Sequence, residues 1–156
     1  MQSSTRTPNH VVESRRRGLI DTSVVIDLDH VEAGQLPIEM AVSAVTMAEL
    51  AAGPHAAHDR VERARRQDRL QRVESEFDPL PIDGDVARAY GRVYAEVLQA
   101  GRKARGRRAL DLLIAATALA GDLPLYTRNP DDFHELRSLV EVVKVDAVPG
   151  PTGRAD

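Results

Sequence analysis

The chain has no cysteine and no tryptophan, and its 156 residues include only two phenylalanines and three tyrosines. Without thiols there are no disulfides, zinc–thiolate centres or cysteine nucleophiles, which fits a reducing cytoplasm. With so few aromatics the core must be built from Leu, Val, Ile and Ala. Long apolar runs are also missing: the longest, 112–121, is far short of the roughly 20 residues of a membrane helix, so no membrane association is expected. The opening "MQSSTRTPNHVVESRRR" has no continuous apolar stretch and does not read as a secretory signal. Residues 1–17 are expected to be a flexible arm, 18–148 one domain and 149–156 a flexible tail. Neither a Walker nor a dinucleotide-type glycine cradle occurs, nor a G-x-S-x-G elbow. Ser23 has no histidine base, and it stands where a haloacid-dehalogenase-type site would need a second aspartate.

What is present is globular: 42% hydrophobic and 29% charged, with a net charge of −3, in a length suited to one domain. The apolar patterning predicts alternating strands and helices. "GLID" (18–21) reads as a strand and "SVVIDLDHVEAG" (23–34) as a short helix after it. "MAVSAV" (40–45) reads as a second strand, followed by a helix in "TMAELAAG" capped by Thr46 or Ser43 and interrupted at Gly53-Pro54. A long charged helix is expected over roughly 56–76. Asp83 caps the next, in which Val86, Tyr90, Val93 and Val97 recur at helical spacing and Gly101 serves as the terminating residue. "ALDLLIAATALAG" (109–121) is apolar enough to be a buried helix. "LPLYTRN" and "VEVVKV" supply two further strands around a short helix in "PDDFHELRSL". This alternation implies a parallel sheet covered on both faces, with ligands at the carboxyl ends of its strands.

Three acids then stand in the wrong company. Asp21 ends the first strand, Glu49 lies among apolar neighbours in "VTMAEL", and Asp111 enters the most hydrophobic helix. A strand-end aspartate can form an Asx turn, and an acid near a helix start suits the helix dipole. Three at one pole of a sheet, however, repel one another unless a cation holds them. The loop after the third strand adds Asn129, Asp131 and Asp132. Oxygen-only donors select Mg²⁺ or Mn²⁺ over zinc or copper, and the chemistry that follows is metal-assisted phosphodiester hydrolysis. Glu49 would orient the water or complete a second metal site. The histidines compete poorly, since His55 and His58 in "HAAH" lack a third ligand.

Basic residues are concentrated in two places. "GRKARGRR" (101–108) holds Arg102, Lys103, Arg105, Arg107 and Arg108 with no acid, and 59–72 holds six arginines against three acids. Each reads either as a solvated face or as a polyanion contact.

On the residues "LIDTSVVIDL" (19–28), "VSAVTMAEL" (42–50), "RRALDLLIAATAL" (107–119) and "LYTRNPDDF" (125–133), the sequence resembles PIN-domain ribonucleases of the VapC type, toxins of bacterial toxin–antitoxin pairs. The resemblance covers roughly 18–146. It implies a three-layer α/β/α sandwich around a mostly parallel sheet, usually dimeric, and a cytoplasmic Mg²⁺-dependent endoribonuclease for which Mn²⁺ can substitute. Asp21 and Asp111 would be the principal metal ligands and Glu49 the third acid. Asp132, with Asn129 or Asp131 as alternatives, would fill the fourth position, and Thr22 and Thr127 would be supporting hydroxyls. The implied substrate is structured RNA, tRNA or rRNA, with the 102–108 cations along its backbone. The implied partner is a VapB-like antitoxin in a hetero-oligomer. Two other readings stay open: a non-catalytic RNA-binding protein on the same fold, and another Mg²⁺-dependent phosphoester hydrolase.

Overall fold

A computed structural model of the chain describes residues 16–148. The expected tail and all of the expected arm except Arg16 and Arg17 lie outside the described residues, as does His10. Four short strands form one sheet: β1 (Arg17–Ile20), β2 (Glu39–Ala41), β3 (Leu125–Thr127) and β4 (Val142–Lys144). All pairings are parallel and the order is β2-β1-β3-β4. The strands are three or four residues long, shorter than the apolar runs suggested, because flanking residues leave the ladder to start helices or turns. Ser43, inside the expected second strand, instead caps α2 (Ala44–Ala56).

Side chains alternate across the sheet, as the period of two demands. Leu19, Ala41 and Leu125 face one core, which α4 (Gly84–Gln99) and α5 (Arg107–Ala120) close. Ile20, Val42 and Tyr126 face the other, under α1 (Thr22–Ile26) and α3 (Arg60–Glu76). The molecule therefore has the three layers expected. Apolar helix α5 is buried as its composition requires: Leu112, Ile114, Ala115, Ala116 and Ala118 are all within 1% of full burial. Asp83 caps α4 by accepting from the Val86 amide at 3.0 Å, and Gly101 at φ 73° turns the chain out of it.

Two helices differ from expectation. The segment 23–34 gives a single α-helical turn and a half, Thr22–Ile26, and then two 3-10 turns at Leu28–His30 and Ala33–Gln35. Helix α2 runs through Gly53-Pro54 to Ala56 instead of breaking there. A proline removes one amide, and the last four carbonyls of any helix lack helical donors. Here α3 supplies the missing donors: Arg66 Nη1 donates to the Gly53 carbonyl at 2.9 Å, and Arg63 Nε to that of Pro54 at 3.3 Å. Helix α3 itself starts late, at Arg60, because Asp59 caps it through the Glu62 amide. Part of the arginine-rich helix is therefore a staple for its neighbour.

The chain enters the sheet at β1, moves to one side for β2, then crosses to the other side for β3 and β4. The direction of winding reverses between β1 and β3, which makes their carboxyl ends the ligand-binding crevice of such a sheet. Asp21 and Thr127–Asn129 stand at that point. Gly18 lets β1 lie close to β3: a Cβ there would come within 2.8 Å of Tyr126 Cδ2, a ring buried to 5% exposure. Gly18→Ala should therefore cost about 1–3 kcal/mol, read as a lowered midpoint in urea unfolding with an unchanged slope.

Candidate active site

Asp21 is held by the turn it starts. As N-cap of α1, its Oδ1 accepts from the Val24 amide at 3.2 Å and from Ser23 Oγ at 2.5 Å. Thr127, at the end of β3, adds a side-chain hydrogen bond. Burial nevertheless pushes the Asp21 carboxyl above the ordinary aspartate range, against the pull of those donors. Ser23 also accepts from the Arg128 amide at 3.1 Å, and so ties α1 to the loop after β3. Asp27, six residues along, is half-buried and ion-paired with Arg128, a firmer position than an acid on a helix surface.

Glu49 projects from the second turn of α2. Thr22 Oγ1 donates to its Oε1 at 2.8 Å. Thr22 thus supports Glu49, and Ser23 is the hydroxyl on Asp21. Asp111 sits one turn into α5, half-buried. Its carboxyl is pushed up to about 6, first by burial and then by the negative charges of Asp132, Glu49 and Asp21, with Arg107 pulling the other way. Repulsion of this kind is the signature of acids sharing one space. They do share one: a cavity of about 460 Å³ is lined by Asp21, Glu49, Asp111 and Asp132, together with Thr22, Ser23, Asn129, Arg107 and Arg108.

Asn129 and Asp132 both reach this cavity, whereas Asp131 is not among its lining residues. Among the described residues no three histidine, aspartate or glutamate side chains are gathered tightly enough to grip a metal ion as placed; the acids ring the cavity without meeting at a point. The donors are carboxylates, an amide and hydroxyls, with no imidazole or thiol. Such a set is chemically suited to a hard divalent cation, and the raised Asp111 carboxyl marks negative charge that a cation would neutralise.

The basic segment divides in two. Arg102 and Arg108 both pair with Glu135, whose side chain is only 6% exposed. Arg108 also donates to the Asp132 carbonyl at 3.2 Å, and burial together with Arg102 lowers its pKa. These two cations thus brace the 3-10 segment Pro130–Leu136 against α5. Lys103, Arg105 and Arg107 make no ion pair among the described residues. Glu135 did not stand out in the sequence, because "HELR" looks like any solvated helix end. Its only signal was an acid one residue before the buried Leu136. His55, His58 and His134 are all exposed.

A second cavity of about 640 Å³ adjoins the first and shares Thr22, Glu49 and Arg107 with it. Ile26 and Leu110, both partly exposed, and Ala48, Leu50 and Ala52 give it an apolar wall, with Arg66 and Arg69 along one side. No helix among the described residues is long and apolar enough to cross a membrane.

Comparison with known proteins converges on one group. The PIN domain family matches residues 18–139. The chain is 35% identical to Ribonuclease VapC5 of Mycobacterium tuberculosis over 133 residues, 82% of this chain and 95% of the relative. It is 37% identical to Ribonuclease VapC8 of the same species over 102 residues, 65% of this chain and 89% of the relative. A crystal structure of VapBC-5, a toxin–antitoxin member from M. tuberculosis, superposes with a TM-score of 0.74 at 36% identity, covering 83% of this chain and 99% of the other.

Two expectations follow from the charges. The folded Asp111 carboxyl, at about 6 against 3.8 for the ordinary group, binds its proton more tightly than the unfolded one. Stability of the metal-free protein should therefore fall as pH rises from about 4 to about 6. Asp111→Asn should raise the melting temperature near neutral pH in EDTA and flatten this dependence, measured by differential scanning fluorimetry. Glu135→Gln should cost about 1–3 kcal/mol, between the exposed and buried limits for an ion pair, read by urea unfolding.

Proposed function

The chain belongs to the PIN-domain family of VapC-type ribonucleases, and from that premise we propose that it is the toxin of a toxin–antitoxin pair that cleaves structured RNA, tRNA or rRNA, with Mg²⁺ held by Asp21 and Asp111. The observation that carries this reading is the set of four acids around one cavity, with Asp111 displaced to about 6 by burial and then by its acidic neighbours. Ribonucleases of this kind are metal-dependent; Mg²⁺, with Mn²⁺ as substitute, is the choice the all-oxygen donor set favours. When bound, the cation supplies Lewis acidity, drawing charge from the phosphodiester and acidifying adjacent water.

The protein's own groups divide the remaining work. Ser23, Thr127 and the Val24 amide fix the Asp21 carboxylate. Thr22 fixes Oε1 of Glu49, the third acid of the metal site, and Oε2 has no hydrogen-bond partner among the described residues. Asp132, with Asn129 beside it, closes the cavity at the β3 end. Lys103 and Arg105 lie on the loop leading into α5, and Arg107 lies on the cavity wall, so an RNA backbone neutralised there would be led toward the acids. Arg102 and Arg108 are committed to Glu135 and hold that loop in place. A VapB-like antitoxin in a hetero-oligomer, a homodimeric toxin and a cytoplasmic location complete the proposal.

The test is cleavage of purified cellular RNA by the native protein with Mg²⁺. Asp21→Asn and Asp111→Asn should each lower the rate at least about a hundredfold, the share of several kcal/mol that a cation site supplies. An RNA that is bound but never cut would instead favour a non-catalytic protein on the same fold. Activity on small phosphate esters alone would favour a different hydrolase. For binding, Lys103→Ala with Arg105→Ala should reduce the slope of log K against log salt by about 1.5, with little change in stability. Arg102→Ala with Arg108→Ala should lower stability instead.

A further inference from the structure

Behind Glu49 lies a set of buried hydroxyls that neither the sequence motifs nor the reaction required. Ser43 and Thr46 are both fully buried and Thr22 is 8% exposed. Ser43 Oγ donates to Thr46 Oγ1 at 3.3 Å, Thr46 Oγ1 and Thr22 Oγ1 are 3.0 Å apart, and Thr22 Oγ1 donates to Glu49 Oε1 at 2.8 Å. A hydroxyl has a single proton to give. Thr22 spends its proton on the carboxylate, so between the two threonines Thr46 must be the donor. With its proton spent on Thr22, Thr46 can only accept from Ser43. The three bonds therefore point one way, from the start of α2 through the start of α1 to Glu49, and bonds in such a row polarise one another.

Helix capping alone does not explain the row. The cap is complete once Ser43 Oγ accepts from the Thr46 amide at 3.1 Å. A helical threonine with no further task bonds back to its own helix, as Thr117 does to the Leu113 carbonyl at 2.9 Å. The Val42 carbonyl, four residues before Thr46, already accepts from the Leu80 amide. Thr46 instead reaches across to another helix, to the residue that follows Asp21.

We infer that Ser43 and Thr46 are positioning residues for the acidic cavity, their hydroxyl protons directed through Thr22 so that the Glu49 carboxylate is fixed in place on the cavity wall. The inference rests on the reading of Glu49 as the third acid of a Mg²⁺ site. It also couples the two acids: Asp21 and Thr22 are consecutive, so the same turn of backbone carries one carboxylate and aims the other.

The experiment is calorimetric titration of Mg²⁺ into the RNA-free protein, alongside RNA cleavage. Thr46→Val keeps the shape and removes the hydroxyl; it should weaken Mg²⁺ binding about five- to tenfold, the worth of one ordinary hydrogen bond, and lower kcat with KM for RNA unchanged. Thr46→Ser should restore both. Ser43→Gly, which retains most of the capping preference, should weaken binding by a smaller factor of about two to three; it carries the test if Thr46→Val fails to fold. Glu49→Gln separates the premises. If Glu49→Gln weakens Mg²⁺ while Thr46→Val and Ser43→Gly bind it as the native protein does, or if Thr46→Ser behaves like Thr46→Val, the hydroxyl row is structural only and the inference falls. If Glu49→Gln binds Mg²⁺ normally, the metal-site reading of Glu49 falls first and takes the inference with it.

Discussion

Mutual repulsion among carboxylates is the constraint around which the rest of this structure is arranged. Asp21, Glu49, Asp111 and Asp132 line one cavity, and after burial the charges of the other three add to the upward push on the Asp111 carboxyl. No single segment could gather them. β1 ends at the first, α2 carries the second in its second turn, α5 brings the third from beyond a long excursion, and the loop after β3 brings the fourth. They converge because the sheet winds to both sides of β1. The two apolar cores, formed by side chains alternating through Leu19 and Ile20, Val42 and Ala41, Leu125 and Tyr126, must therefore be stable enough to hold strained charges at their edge.

The chain's cations are apportioned in response, and fewer of them than their number suggests are free. Arg63 and Arg66 satisfy carbonyls at the end of α2, Arg72 pairs with Asp29, Arg128 with Asp27, and Arg102 and Arg108 with Glu135. What faces the cavity without an ion pair is Arg107. It depresses the Asp111 carboxyl without cancelling the other three charges. A basic run in sequence is thus a poor count of available positive charge. In 101–108 the residues on the helix side of the loop are partly structural, and those at its tip are the ones left to meet a polyanion.

Asp21, Glu49 and Asp111 were legible in the sequence because a lone acid in an apolar segment has few bland explanations, and three at one pole of a sheet have fewer. The parallel sheet was legible for a similar reason: the periodicity of "ALDLLIAATALAG" and the short apolar runs allow little else. What was not legible depends on partners distant in the chain. Helix α2 continues past Pro54 because arginines nine and thirteen residues on reach its carbonyls. Glu135 is buried because Arg102, thirty-three residues earlier, covers it. Thr22 turned out to serve Glu49, with Ser23 on Asp21, a choice between two neighbouring hydroxyls that depends on where α2 packs. Asn129 and Asp132 both reach the cavity, so the fourth position is shared between an amide and an acid.

The two adjoining cavities add a last consequence. Thr22, Glu49 and Arg107 belong to both walls, so a molecule filling the larger, apolar cavity necessarily meets the acid and the cation that also face the smaller one. Glu49 is aimed from behind by Thr22, and Thr22 itself forms part of the shared wall. Displacing that threonine would disturb Glu49 and, through the backbone, Asp21 together. The apolar cavity and the acidic one therefore share a wall that one turn of α1 helps to build.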